Sequence, residues 1–395
     1  VRGNCGGDGN SRWSSMVVFF THTPETYTLN ITGYGDSENN NYYLIASPIG
    51  EVGPSTVENM LENQYDLYAF NQICNYEEWR NYKSSNFILE PGLGYLYANS
   101  EDITLTFTGI PYSGNGVFTL AKDDNAIFAG WNLMGNPFDV TAYIEKPFYI
   151  MNDDGTELTT AVLYDGIEPM HGVFVVADTD GETLTFSTTP INKAVSKIIM
   201  NLIHGRGYVI DRAIVCFDEG NTLEKFQLNS NHTKVYIPMD GKDYAVINAA
   251  EMGEMPVSFK AENNGTYTLS FTSEEVSFSY LHLIDNTTGV DVDLLQTPNY
   301  TFEAKTTDFA SRFKLVFICE DTVNDNDDFA FFSNGSFIIN NNGEATLQVV
   351  DAMGRILKSE NINGSTSVNV NAAAGVYMIR LINGDNVKVQ KVFVR

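Results

Sequence analysis

The sequence predicts an all-β fold of tandem β-sandwich domains, the first internally duplicated and the last a small sandwich of roughly 65 residues. Short segments that alternate apolar and polar residues recur along the chain, and clusters of Asn, Asp, Gly and Pro separate them. Of the 395 residues, 43% are hydrophobic and 12% aromatic, which suffices for several packed cores. No apolar run of about 18 residues occurs, so we expect no transmembrane segment.

Residues 1–41 contain two strand-like runs, Met16–Phe20 and Tyr27–Ile31, followed by a polar break at Asp36–Asn41. We expect these strands to complete a neighbouring sheet or to be the remnant of an upstream domain. The first residues read as a loop without the features of a signal peptide, which suggests that the chain is the C-terminal part of a longer precursor.

Residues 42–190 carry a repeated pattern, with copies at about 42–110 and 130–190. In each copy an apolar strand ends in a proline turn, a tyrosine-containing strand follows, and a Glu-Pro turn precedes two further strands. We therefore expect one duplicated β-domain with a pseudo-two-fold axis and with Pro48 and Pro137 at equivalent turns. The matched segments are Tyr43–Pro48 with Asn132–Pro137, Asp66–Asn71 with Pro147–Asn152, Glu90–Tyr97 with Glu168–Val175, and Leu105–Phe107 with Leu184–Phe186.

In the first copy, Ser55-Thr-Val-Glu58 has the spacing of a helix capping box, which predicts a short helix there. Residues 191–318 contain ten strand-like segments between Asn- and Gly-rich turns and are predicted to form a second β-sandwich. Residues 319–328 are acidic and nearly devoid of apolar side chains, which is typical of a linker that a protease can reach.

The last 67 residues, 329–395, contain three motifs in a fixed order. A hairpin pattern surrounds Asp351-Ala-Met-Gly-Arg355, a strand pattern covers Gly375-Val-Tyr-Met-Ile-Arg-Leu381, and the chain closes on Lys391-Val-Phe-Val-Arg395. From residue 329 onward there are six basic and four acidic residues, a net charge of +2. Because the whole chain has a net charge of −27, residues 1–328 have a net charge of −29. A body this acidic repels polyanions, which excludes a nucleic-acid partner.

These motifs resemble the type A C-terminal sorting domain of the type IX secretion system of Bacteroidetes, an immunoglobulin-like domain. One departure is that Phe329–Ser336 stands where the family has a Pro-Asn-Pro element. The duplicated region is similar to repeats in surface proteins of gut and oral Bacteroidetes. The resemblance implies that the sorting signal comprises Asp351, Gly354, Arg355, Gly375, Tyr377, Arg380, Leu381, Lys391, Val392, Val394 and Arg395.

The same resemblance implies the partners and the location of the protein. The type IX translocon would carry the chain across the outer membrane, and a surface signal peptidase would cut in the linker and leave the body on the cell surface or outside the cell. A glycan or a host protein is a possible ligand of the body.

Motifs of catalysis and of metal binding are missing from the sequence. No His-Glu-x-x-His and no Gly-x-Ser-x-Gly occurs, and His171 is interpreted as a loop residue. The acidic segments Asn152–Gly155 and Asp178–Glu182 lack the closing Glu of a calcium loop and are read as solvated turns. We expect no catalytic residue, no metal and no cofactor.

Four cysteines lie far apart in the sequence and are expected to be free and buried: Cys5, Cys74, Cys216 and Cys319. Four aromatic residues could stack on sugars if they were exposed, although burial in a core is favoured: Trp79, Tyr95, Tyr97 and Trp131.

The sequence therefore indicates a non-catalytic C-terminal region of a secreted surface protein, with adhesion, binding or spacer modules and an export signal. The alternative is an accessory region of a secreted peptidase or glycoside hydrolase whose catalytic domain lies upstream of residue 1. A hydrolase within the chain itself is a third, weaker hypothesis.

Overall fold

A computed structural model describes most of the chain as strands in several sheets, which confirms the all-β fold class. The described residues are 23–35, 41–72, 78–151, 158–160, 164–191, 194–205, 207–218, 220, 222–226, 232–320 and 328–395. The sequence expectations for Met16–Phe20, Cys5, Cys74 and Asn152–Gly155 fall outside these residues.

The first six strands form a four-stranded and a two-stranded sheet. They are β1 (Glu25–Ile31), β2 (Tyr43–Ala46), β3 (Tyr65–Phe70), β4 (Trp79–Asn81), β5 (Gly94–Asn99) and β6 (Ile103–Gly109). The larger sheet has the order β2-β5-β3-β4, and β1 pairs with β6. Because β1 is hydrogen-bonded to β6 along its whole length, it belongs to this domain. Of the two expectations for this strand, completion of a neighbouring sheet therefore fits, and a remnant of an upstream domain does not.

In the described residues of this region, helical structure is limited to two short turns. A 3-10 helix spans Pro54–Thr56, and α1 spans Tyr82–Ser85. The short helix predicted from the capping-box spacing at Ser55 is a single 3-10 turn that begins at Pro54, before the predicted cap, and Val57 is already extended.

The next six strands follow the same order. They are β7 (Val117–Thr119), β8 (Trp131–Gly135), β9 (Tyr149–Met151), β10 (Leu158–Thr160), β11 (Gly172–Val176) and β12 (Thr183–Thr185). One sheet has the order β8-β11-β9-β10, and β7 pairs with β12.

The two groups of strands cross with reciprocal contacts. Ala46 N donates to Met170 O at 2.8 Å, and Gly135 N donates to Gly92 O at 3.0 Å. Pro48 and Pro137 each lie two residues beyond the end of their strand.

The third domain is formed, in the described residues from 194 to 320, by ten strands that follow one another along a continuous path in one sheet and an eleventh that pairs beside them. They are β13 (Lys197–His204), β14 (Tyr208–Cys216), β15 (Leu223–Glu224), β16 (Lys234–Met239), β17 (Lys242–Asn248), β18 (Met252–Lys260), β19 (Gly265–Glu274), β20 (Phe278–Asp285), β21 (Val290–Asp293), β22 (Asn299–Ala304) and β23 (Phe313–Cys319). Their order is β21-β20-β23-β18-β16-β17-β14-β13-β19-β22, and β15 pairs with β17. Alternate residues of both halves of the path, such as Leu269 and Leu315, pack in one shared core, as in a sandwich.

The last domain is a sandwich of three and four strands. They are β24 (Ala330–Ser333), β25 (Ser336–Ile339), β26 (Glu344–Asp351), β27 (Ile356–Asn363), β28 (Thr366–Asn369), β29 (Gly375–Asn383) and β30 (Asn386–Val394). The sheet orders are β24-β25-β28 and β27-β26-β29-β30. Phe337 and Ile379, both fully buried, lie in the core between the two sheets.

The domain formed by β1 to β12 and the third domain contact each other through aromatic side chains. Trp131 stacks on Phe226 with ring centroids 4.1 Å apart. The Tyr149 hydroxyl donates to Glu224 O and accepts from Phe226 N, which ties the two domains at a buried point.

Candidate functional site

The turn between β26 and β27 is organised by the carboxylate of Asp351. This carboxylate accepts hydrogen bonds from Met353 N and Arg355 N at 2.9 Å, and from Arg355 Nε at 2.7 Å. Gly354 has a φ of +82°, a conformation that glycine adopts without a steric cost. The hydrogen bonds from Arg355 hold the pKa of Asp351 below its usual range, so the carboxylate is charged and the turn is fixed near neutral pH.

The register of the larger sheet brings some of the predicted signal residues together and separates others. Asp351 lies opposite Tyr377, and Tyr377 lies opposite Val392, so these three form one row across the sheet. Leu381 pairs with Lys388 at the other end of β29.

Burial divides the predicted signal residues into two groups. Four of them face the core and are less than 8% exposed, namely Tyr377, Leu381, Val392 and Val394. The Tyr377 hydroxyl donates to Ala373 O at 2.9 Å, which satisfies its polar end. Five others are exposed, namely Gly354, Arg355, Gly375, Lys391 and Arg395, and Asp351 and Arg380 are half-buried.

The last strand, β30, lies at the edge of its sheet. Its backbone pairs only with β29 among the residues that the structure describes, so its other side offers unpaired donors and acceptors. The side chains on its outer face are Val387 at 47%, Val389 at 50% and Phe393 at 60% exposure, with Lys391 between them. The Lys391 ammonium lies 4.6 Å from the Phe393 ring centroid, and this outer face is therefore both apolar and cationic.

The basic residues of this region are not neutralised by neighbours. Within the described part of the chain, no ion pair involves Arg380, Lys388, Lys391 or Arg395, whereas Arg355 pairs with Asp351. The positive charge at β30 is consequently available to a partner.

Gln390 links the last strand to the point where the linker enters the domain, and the sequence analysis did not identify it. Its Oε1 accepts from Phe329 N and Ala330 N, both at 2.6 Å, and its Nε2 donates to Asp328 Oδ1 at 2.9 Å. A lone Gln in a strand gives no sequence signal of such a contact. The exposed valines could have been found, because Val387 to Arg395 alternate in a strand at the chain end.

The other candidate sites are occupied by the protein's own side chains. Glu182 and Asp178 both lie 2.8 Å from the Lys146 ammonium, and Asp180 accepts from Lys122 N at 3.0 Å. Burial lowers the pKa of Lys146, but the hydrogen bonds to the two carboxylates outweigh this effect and raise it. A lysine thus stands among these carboxylates, and no group of three or more His, Cys, Asp or Glu side chains suited to a metal occurs in the described ranges.

The aromatic residues considered for sugar stacking are mostly core residues. Tyr95, Tyr97 and Trp131 are at most 8% exposed, and half-buried Trp79 packs edge-on against Phe70 at 5.2 Å. His171 is exposed in its turn and contacts Pro169 O through Nδ1. Cys216 and Cys319 are buried, and burial raises the pKa of each thiol to about 12, which keeps both thiols protonated near neutral pH.

Residues 333–395 match the family model described as the secretion system C-terminal sorting domain. This match agrees with the fold and with the position of the three motifs on β26 to β30. The last domain is therefore a type IX sorting domain, and the chain is a Bacteroidetes protein exported to the cell surface or the extracellular space. It interacts with the type IX secretion machinery.

Comparisons of the rest of the chain are less informative. None of the curated proteins compared with the chain matches it. One solved structure that is similar to the chain is the BSP domain of a biofilm-associated protein. The alignment covers 97% of this chain and 98% of the BSP-domain chain, with 10% sequence identity and a TM-score of 0.18. A TM-score this low carries no argument about fold or function. No helix among the described residues has the length and apolar character needed to cross a membrane.

Proposed function

We propose that the chain is a non-catalytic part of a surface protein, in which acidic β-sandwich domains serve as adhesion, binding or spacer modules and β30 delivers them to the cell surface. The observation that carries this proposal is the edge strand of the last domain, which combines an unpaired backbone edge with exposed apolar and cationic side chains. A possible ligand of the body is a glycan or a host protein.

The recognition step is addition of a strand to the free edge of β30. An edge strand presents backbone donors and acceptors to an incoming strand, and alternate side chains determine which partner fits. Lys391, Phe393 and Arg395 supply these side chains on one face of the strand. Val392 and Val394 hold the strand in place by packing in the core.

A surface signal peptidase then cuts within the linker, residues 319–328, and the body is anchored at the surface. The last linker residue, Asp328, is held by Gln390 of β30, so the linker enters the sorting domain beside the strand that the machinery recognises. The cut therefore falls close to the recognised element.

We further propose that residues 42–190 arose by duplication and form a pseudo-two-fold spacer, which β1 completes by pairing with β6. The common sheet orders and the reciprocal hydrogen bonds of Ala46 and Gly135 support this proposal. Their aromatic side chains pack in cores, as a spacer domain requires.

Deletion of Lys391–Arg395 tests the role of β30. In a Bacteroidete with an intact type IX system, the deleted protein should accumulate in the periplasm, because the end of the recognised strand is gone. Protease treatment of whole cells, followed by immunoblotting of cell fractions, measures this distribution.

Two controls separate recognition from folding. Lys358→Glu on β27, at the opposite edge of the sheet, should be exported normally. Lys391→Glu with Arg395→Glu leaves Val392 and Val394 in the core and should still reduce export. Surface exposure of the deleted protein at the normal level would refute the proposal.

A further inference from the structure

Two neighbouring strands of the third domain, β20 and β23, are buried on both faces. On one face Leu283, Leu315 and Phe317 pack in the core of that domain. On the opposite face Tyr280, Ile284, Val316 and Ile318 are each at most 7% exposed. A strand buried on both sides requires a second layer, so another part of the chain covers this outer face.

The covering layer is the sorting domain. Phe331 and Ile338 pack with Tyr280, Ile284, Val316 and Ile318 in one apolar cluster, which Met252 joins at its border. Ile338 is 3% exposed although its neighbours Phe337 and Ile339 face the core of the sorting domain. Because strand residues alternate between faces, Ile338 points away from that core and towards the third domain.

The register shows that two sheets meet with their outer faces. Ile338 lies opposite Phe331 on β24 and opposite Ser367 on β28, so all three share the outer face of the three-stranded sheet. In the third domain Ile318 lies opposite both Met252 on β18 and Tyr280 on β20. Residues directly opposite in an antiparallel pair share a face, and the contact is therefore sheet on sheet.

A polar rim surrounds the apolar contact. Ser333 Oγ donates to Glu254 Oε2 at 2.6 Å, and the same carboxylate oxygen lies 3.0 Å from Lys314 Nζ. Ser365 Oγ and Ser279 Oγ are 2.9 Å apart across the boundary. An apolar centre with a hydrogen-bonded rim is the composition of a specific protein interface.

The contact leaves the end of the recognised strand reachable. A groove of about 610 Å³ runs along the boundary and is lined on one side by Met252 and Glu254 and on the other by Lys391, Phe393 and Arg395. The interface uses the three-stranded sheet, whereas β30 belongs to the other sheet. Both contacts can consequently exist in one molecule.

We infer that the outer face of β18, β20 and β23 is a binding site for the sorting domain, which stays attached to the body after the linker is cut. The inference rests on the proposed function, because the cut is the cleavage of the linker, residues 319–328, by the surface signal peptidase during export. An intact linker keeps the two faces at a high effective concentration, and after cleavage the interface alone retains the domain. Cleavage and release are therefore two separate steps.

The test uses the full chain with a specific protease site in place of residues 322–327. After complete cutting, shown on a denaturing gel, size-exclusion chromatography and native mass spectrometry at micromolar concentration should show both fragments in one complex. Fragments of the otherwise unchanged protein that separate under these conditions would overturn the inference.

Matched variants locate the interface. Ile338→Asp should abolish the complex, whereas Val389→Asp, the same change on the exposed face of the other sheet, should leave it intact. Tyr280→Ala, which removes a ring from the body side without touching either core, should weaken binding by about tenfold or more. As a folding control, circular dichroism of the separated fragment with Ile338→Asp should show a folded domain. If Tyr280→Ala binds the sorting domain as tightly as the unchanged protein does, the assigned site is contradicted.

The experiment needs no translocon, so its result is independent of export. If the fragments stay together but deletion of Lys391–Arg395 leaves export unaffected, the binding site is supported and the proposed function is refuted. If the fragments separate but that deletion blocks export, the proposed function is supported and the binding site is refuted.

Discussion

Asp285 and Arg312 form a buried ion pair that joins three strands of the third domain. Both side chains are at most 3% exposed, and Arg312 Nη2 lies 2.9 Å from Asp285 Oδ2. The carboxylate also accepts from Thr287 N and the Tyr300 hydroxyl, and Arg312 Nη1 donates to Glu303 O. Burial raises the pKa of Asp285, but these donors outweigh it, so the pKa lies below its usual range.

Asp285→Ala should destabilise the third domain by about 3–5 kcal/mol at pH 7, because it removes the buried partner of the Arg312 guanidinium. The partly exposed carboxylate of Asp308 then remains as its ion-pair partner, at 3.7 Å. Because the pKa of Asp285 is lowered in the folded protein, the ion pair stabilises the fold fully at pH values above the unfolded-state pKa of about 3.9. This stabilisation is lost as the pH falls through the folded-state pKa. The stability gap between variant and unchanged protein, measured by urea unfolding, should therefore narrow in acid.

Glu224→Ala is the control for this prediction. It removes one partner of the exposed Lys242 ion pair and should cost about 1 kcal/mol or less. A gap between Asp285→Ala and the unchanged protein that stays constant from about pH 7 to about pH 2 would contradict the role of the buried pair.

At the scale of elements, the crossing of the two four-stranded sheets depends on close backbone contact. A Cβ placed on Gly94 would lie 2.5 Å from Met134 O, and one on Gly135 would lie 2.5 Å from Leu93 O. Both glycines lie on strands of the crossing, β5 and β8. The glycines therefore set how closely the two sheets approach.

Gly94→Ala should destabilise this domain by about 1–3 kcal/mol, because the added methyl group meets a backbone oxygen that cannot move aside without shifting β8. Thermal unfolding measures the change. Gly50→Ala is the matched control, since a Cβ there meets nothing within 4 Å, and it should leave stability nearly unchanged. Equal melting temperatures for the two variants would show that the sheets do not cross as described.

The sequence was most informative where strands bury one face. Alternation located most of the strands of residues 191–318 and the hairpin at Asp351, since period-two burial is a local property. It could not assign β1 to β6, because Tyr27 pairs with Phe107 far along the chain and pairing of distant segments leaves no local pattern. The apolar run Leu315–Cys319 was read only as a strand, although burial of both faces was the available signal of the sorting-domain contact.

For the candidate site, the motifs identified the right domain, yet they mixed two kinds of residue. Tyr377 and Val392 recur in the motifs because they pack in the core, whereas Lys391 and Arg395 face solvent. Alternation along β30 separates the two kinds once the strand is known. The contacts of Gln390 could not be predicted, because they depend on where β24 begins relative to β30.

At the scale of the whole molecule, the chain is a series of cores joined by buried contacts. The contact between Trp131 and Phe226 joins the domain of β1 to β12 to the third domain. The contact between Ile318 and Ile338 joins the third domain to the sorting domain. The acidic body and the mildly basic sorting domain therefore form one connected unit. In this arrangement the export signal is a folded domain whose last strand is accessible.

The most direct measurement is the location of a fluorescent reporter fused to residues 319–395 and supplied with a signal peptide, in a Bacteroidete that carries the type IX system. We predict that the reporter reaches the cell surface or the medium, as measured by protease treatment of whole cells and by fluorescence of the culture fluid. The same fusion without Lys391–Arg395, and the intact fusion in a strain without the translocon, should both remain in the periplasm. An intact fusion that stays in the periplasm of cells with a working translocon would contradict the account.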